Sequence, residues 1–293
     1  MKQKTGSFQG TKINPTQFHP SHIKFYMLLT PIAIFMLMPV VFIVSQAFKP
    51  LDELFRFPPT FIVRRPTLNN FQTILNVTGD TGVPMSRFFT NTIFITVVTI
   101  GLTIILTSMA AYALSKKKFG AKGALFRINQ AALMFVPTAV LIPRYLVIVN
   151  VGLHDNFLAH IMPALAVPVS LFLLKQFIDV VPDSLIEAAR IDGAGELHVL
   201  FKIVFPMIMP ALATVGIITF QSVWGAVEAS NMFIESDTLR TFAFYLSTIA
   251  TVETPAMAGV AAAATFILFF PNLVIFIALQ SRVMSTMSHS GIK

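Results

Sequence analysis

The residues of this chain that could do chemistry exclude more than they offer. Cysteine is absent, which removes disulfides, thiolate metal sites and thiol nucleophiles. His19, His22, His154, His160, His198 and His289 are scattered, and no H-E-x-x-H spacing sets two imidazoles on one helix face. No G-x-x-x-x-G-K-[ST] run is present to cradle a nucleoside triphosphate, and Gly120-Ala121-Lys122-Gly123 lacks the spacing. What is left is binding chemistry, in two groups. One is a charged stretch, Glu187-Ala188-Ala189-Arg190-Ile191-Asp192-Gly193, which runs on to Ile203-Val204-Phe205-Pro206. The other is a set of polar or amphipathic residues set inside apolar runs: Asn91, Thr92, Arg144, Tyr145, Ser170, Gln221, Trp224, Glu228 and Asn272.

The elements that carry these residues follow from hydropathy. The chain has 293 residues, of which 55% are hydrophobic and only 12% charged, with a mean hydropathy of +0.75. A soluble domain carries about 25% charged residues, so the natural solvent here is lipid. Six runs, approximately 25–48, 88–114, 128–149, 157–177, 207–229 and 256–281, are long and apolar enough to cross a bilayer. Only helices and closed barrels satisfy their backbone groups in hydrocarbon. An all-α integral membrane protein with six transmembrane helices is therefore expected. Residues 1–24 form an N-terminal segment, and 25–48 exceed a cleavable h-region, so they read as a permanent first span. Pro137, Pro143 and Pro163 are expected to kink spans three and four.

Charge sets the orientation. With six spans both termini share a side, and that side holds 14 Lys and Arg against 7 opposite. The sharpest cluster is Lys116-Lys117-Lys118. The positive-inside rule then places both termini and the loop 178–206 in the cytoplasm, and 49–87 outside. The net charge of +8 is explained by this bias and does not call for nucleic acid.

Within 178–206, Ser184-x-x-Glu187 fits a capping box and predicts a helix from about 183. Pro182 suits the first helical turn. Gly193 ends that helix in the αL manner. Leu197, Leu200, Phe201 and Val204 then predict a second apolar stripe at α-helical spacing. An amphipathic hairpin lying in the membrane interface satisfies this periodicity. Its acidity argues otherwise: Asp179, Asp183, Glu187, Asp192 and Glu196 suit a protein partner better than anionic lipid.

The spacing of Glu187-Ala188-Ala189, Gly193 and Ile203-x-Phe205-Pro206 resembles the EAA signature of permease subunits of ABC importers, with Phe205 where the family usually has Leu. The stretches 45–71, 88–96, 142–156 and 284–293 are similar to the carbohydrate importers, to the second permease of maltose-type systems and to the smaller permease of alginate-type ones. The resemblance implies a type I importer fold. It implies a translocation pathway shared with a second, non-identical permease, and an extracytoplasmic solute-binding protein that delivers a sugar. Two ATP-binding subunits would hold ATP and Mg, with no cofactor in this chain and no catalysis by it. It also gives roles to residues. Glu187, Ala188, Ala189, Asp192, Gly193, Ile203 and Pro206 would couple to the ATPase. Ser290, Gly291, Ile292 and Lys293 would reach it as a tail.

For the pathway, Asn91, Arg144, Tyr145, Gln221, Trp224 and Glu228 are the candidates. Trp224 with Gln221 three residues earlier offers an aromatic platform and a hydrogen-bonding group on one helix face. Arg144, directed into the path, would favour a uronate-containing sugar. Plain alternatives stand beside these: an interfacial Trp, a snorkelling Arg144, and Asn91 as a helix-pairing residue. A permease for a non-sugar solute keeps every coupling feature. An ion-coupled secondary transporter should show an acidic residue at mid-span, and none is found.

Overall fold

The computed structural model describes residues 23–58, 60–76, 82–250 and 257–290. Every regular element among them is helical. Helix α1 (Ile23–Ala47) is apolar all round, as a lipid-facing helix must be. The segment after it carries α2 (Leu51–Leu54) and α3 (Asn69–Asn76). Both are pinned by buried polar groups. Asn70 Nδ2 donates to the carbonyls of Ala47 and Lys49, at 2.9 Å each. The Glu53 carboxylate accepts the backbone N–H of Arg64 at 2.8 Å, and Lys49 Nζ donates to the Thr60 carbonyl.

Helix α4 (Met85–Lys116) is the central element. One face buries Thr92, Ile95, Thr96, Thr99, Thr103, Thr107 and Ser108, at the i, i+3, i+4 spacing of a single stripe. Small side chains let helices approach closely in a membrane. Onto this helix pack α7 (Leu158–Leu165), α8 (Pro168–Asp179), α12 (Met209–Trp224) and α14 (Phe242–Ala250). Helix α15 (Ala258–Ser290) packs on α1, α12 and α14.

Among the described residues only α1, α4 and α15 are single helices long and apolar enough to span a membrane. The other three expected spans are bent pairs, so the multi-pass reading holds with broken spans in place of straight ones. Helix α5 (Lys122–Ala132) meets the 3-10 turn at Pro137 and α6 (Leu141–Asn150) at 109°. Helices α7 and α8 meet at 45°. That break lies at Ala166–Val167, where Val167 before Pro168 is driven extended, and Pro163 sits inside α7 without ending it. A third break, of 88°, precedes α12. Within 228–255, expected to be loop, α14 buries Phe242, Ala243, Tyr245 and Leu246. Its nine residues are too few to span, but they fill the space between α4 and α15.

Candidate functional site

The charged stretch forms α9 (Asp183–Ile191). Pro182 is its N-cap, and no side chain caps the first turn, so the Ser184/Glu187 capping box does not form. The C-terminus closes as predicted in type. Gly193 sits at φ +81, Ala194 N–H bonds Ala189 C=O at 2.9 Å, and Gly193 N–H bonds Arg190 C=O at 3.0 Å. These two bonds are a Schellman closure, which requires the αL residue. Ala189 and Ala194 pack against the core below, while Ala188 is exposed.

The second piece departs from its expected register. After α10 (Glu196–His198), Val199–Val204 is a π-helix, followed by α11 (Phe205–Met207). The wider turn changes which residues face inward. Val199, Leu200, Val204 and Ile208 are buried, whereas Leu197 and Phe201 point outward. Ile203 is half-buried and Pro206 exposed.

The loop's carboxylates are largely used internally. Asp179 pairs with Lys175 at 2.6 Å, and Asp183 with Lys116 at 2.7 Å. Glu196 is a hub: its carboxylate meets Lys117, takes Arg190 Nε at 3.2 Å, and accepts the Tyr112 hydroxyl at 2.9 Å. The Lys117 ammonium beside it is the largest influence holding the Glu196 carboxyl down, at about 2. Lys116 also donates to the Val181 carbonyl at 2.5 Å. The acidity that pointed to a partner is thus partly a tether to the end of α4. Two carboxylates are left over: Glu187 and Asp192 are exposed and meet no cation among the described residues.

A second feature is a cavity of about 290 Å³ between α4, α6, α7, α12 and α13 (Glu228–Met232). Its wall is mostly apolar, with Ile95, Ala164, Ile218 and Val223, and Ser222 opens onto it. Arg144 and Glu228 line it together as an ion pair at 2.7 Å. The other pathway candidates lie elsewhere. Trp224 is buried, stacks on Phe220 and donates its indole N–H to Leu268 C=O at 3.2 Å, so it packs helices. Asn91 holds the carbonyls of Thr238 and Arg240, at 2.8 and 2.9 Å. Tyr145 stacks on Phe233, and Gln221 is exposed on α12. Residue 290 ends α15, and 291–293 of the expected tail lie outside the described residues. Composition gave no signal for the Tyr112–Glu196 contact, because 84 residues separate its partners. Among the described residues no three His, Asp or Glu converge as a metal site would need.

Three helices long and apolar enough to span, with bent apolar pairs packed beside them, mark a multi-pass membrane protein. The chain belongs to the family described as binding-protein-dependent transport system inner membrane component, whose profile matches residues 104–281. It is therefore a permease and not an enzyme. It is 33% identical over 208 residues to a putative ABC transporter permease, ORF2, of Caldicellulosiruptor sp., covering 69% of this chain and 72% of that one. It is 31% identical over 222 residues to the melibiose/raffinose/stachyose import permease MelC of Bacillus subtilis, covering 71% and 76%. Its fold matches a chain in the crystal structure of a bacterial ABC transporter for the acidic polysaccharide alginate. That match has a TM-score of 0.78 and 21% identity, and covers 90% of this chain and 98% of that one.

Proposed function

We propose that this chain is one of two non-identical permeases of an ATP-driven oligosaccharide importer in a bacterial cytoplasmic (inner) membrane. An extracytoplasmic solute-binding protein delivers the sugar, and two ATP-binding subunits supply ATP hydrolysis with Mg. The loop around α9 lies on the cytoplasmic side and docks on an ATPase subunit. One observation carries this reading. Of the loop's five carboxylates, Glu187 and Asp192 alone are exposed and without a cation among the described residues, beside a helix end fixed by Gly193. A rigid, tethered element with two free charges is built to meet a basic partner.

Coupling then follows from rigidity. When the ATPase subunits close, a docked α9 moves with them, and the Lys116–Asp183 and Tyr112–Glu196 contacts transmit the displacement to α4. Such an element shifts the inward–outward balance only if its contacts differ between states. The cavity beside Arg144 and Glu228 is assigned to the solute path. Residues 290–293 are assigned a contact with the ATPase. The test is co-purification. Glu187→Ala or Gly193→Val should weaken retention of the ATPase subunits while the permease still inserts. Undiminished retention and transport in both variants would return the loop to an interfacial hairpin.

A further inference from the structure

Arg144 alone would argue for an anionic solute. The structure does not leave it alone. Its guanidinium meets the Glu228 carboxylate at 2.7 Å, from a different segment 84 residues away. Both side chains line the same cavity, and 33% and 43% of their side-chain surface is exposed. The only other titratable group on the described wall is His160. Its ring is buried, and Nε2 lies 3.1 Å from the Leu239 carbonyl. The permanent charges on the wall therefore cancel.

We propose that Glu228 is a specificity-determining residue: by pairing with Arg144 it neutralises the cavity and takes the seat that a solute carboxylate would otherwise occupy. This rests on assigning the cavity to the solute path. A uronate entering the cavity would have to displace a carboxylate already held at 2.7 Å. A sugar carrying only hydroxyls has no such competitor. It can use the guanidinium donors and the carboxylate oxygen that the pair leaves without a protein partner among the described residues. An intact ion pair thus presents hydrogen-bonding capacity without net charge, in a wall that is mostly apolar.

The chain offers a direct probe because it has no cysteine. Ser222→Cys would place its single thiol on the cavity wall. In the assembled importer, reconstituted in lipid, the rates at which an anionic and a cationic methanethiosulfonate modify that thiol are compared, reading the label on this chain by mass. Adding Glu228→Gln should raise the anionic-to-cationic rate ratio about fivefold or more, since removing a charge several Å away changes the local potential by that order. Adding Arg144→Gln should lower it by a similar factor. A ratio that moves less than twofold in both variants would overturn the proposal. The path assignment is tested separately. A bulky neutral reagent on the introduced thiol should block uptake of the importer's own substrate. Normal uptake with that thiol fully labelled would sink the assignment, whatever the charge ratios show.

Discussion

Replacing Glu196 by Ala should loosen the α9 element through a penalty that falls mainly on Tyr112. The two ion pairs are half-exposed, with 36% and 39% of the Lys117 and Arg190 side chains open and 46% of Glu196. Exposed pairs contribute about 0.2–1 kcal/mol each. Tyr112 is different, being only 5% exposed. With Glu196 gone its hydroxyl loses its acceptor, and a buried orphaned donor costs about 1–3 kcal/mol. The sum is about 1.5–5 kcal/mol for local opening, with the orphaned hydroxyl as its largest part. At about tenfold per 1.4 kcal/mol, amide hydrogen exchange across 183–204 should accelerate by a factor between about ten and a few thousand. The check on the reasoning is the double variant. Tyr112→Phe removes the hydroxyl, so Glu196→Ala in that background should cost only the ion pairs, about 0.5–2 kcal/mol. If exchange is unchanged in Glu196→Ala, or if Tyr112→Phe does not reduce the cost, the tether does not hold the loop.

The same hub has a pH signature. The Glu196 carboxyl is held at about 2, below its ordinary 4.5, so its contribution is complete above pH 4.5 and fades as pH falls toward 2. Exchange across 183–204 should therefore stay slow down to about pH 4.5, after correction for intrinsic rates, and a loss already under way at about pH 6 would contradict this. Gly259→Ala should lower the thermal midpoint. An added Cβ would lie 2.7 Å from Asn70 Nδ2 and 2.8 Å from Leu54 Cδ1, forcing Asn70 off the Ala47 and Lys49 carbonyls at a cost of about 1–3 kcal/mol. Asn91→Leu should destabilise by about 1–3 kcal/mol, since it takes the side-chain donor from the Arg240 carbonyl and leaves the Thr238 carbonyl only the longer contact to Arg87 Nε at 3.3 Å. Uptake per folded molecule should be unchanged, because Asn91 holds a loop and does not line the cavity.

Much of the fold could be read from one dimension. Apolar length found three helices long enough to span, and six with each bent pair taken as one span, and Gly193 marked the end of α9 because an αL position favours glycine. The breaks were harder. Pro163 drew attention, yet the bend between α7 and α8 belongs to Pro168, which disfavours a helical Val167. The π-helix at Val199–Val204 escaped a search at α-helical spacing, since Leu197 and Phe201 fit the stripe and still face outward. Helix α14 was missed because nine mostly apolar residues resemble a short loop anchor until α4 and α15 close around them. The site divided in the same way. Arg144 and Glu228 were each singled out, but their pairing depends on two bent segments meeting. Trp224 was conspicuous by rarity, and its indole serves helix packing.

The central claim is that α9 carries force between an ATPase and the helices through Glu187 and Asp192. Its most direct measurement is the number of solute molecules imported per ATP hydrolysed, in the reconstituted importer with and without Glu187→Ala. Loss of a charge-assisted contact of about 1.5–3 kcal/mol should reduce coupled import about tenfold or more, with the chain inserted and α9 still helical. An unchanged import-to-hydrolysis ratio at unchanged rates would contradict the account.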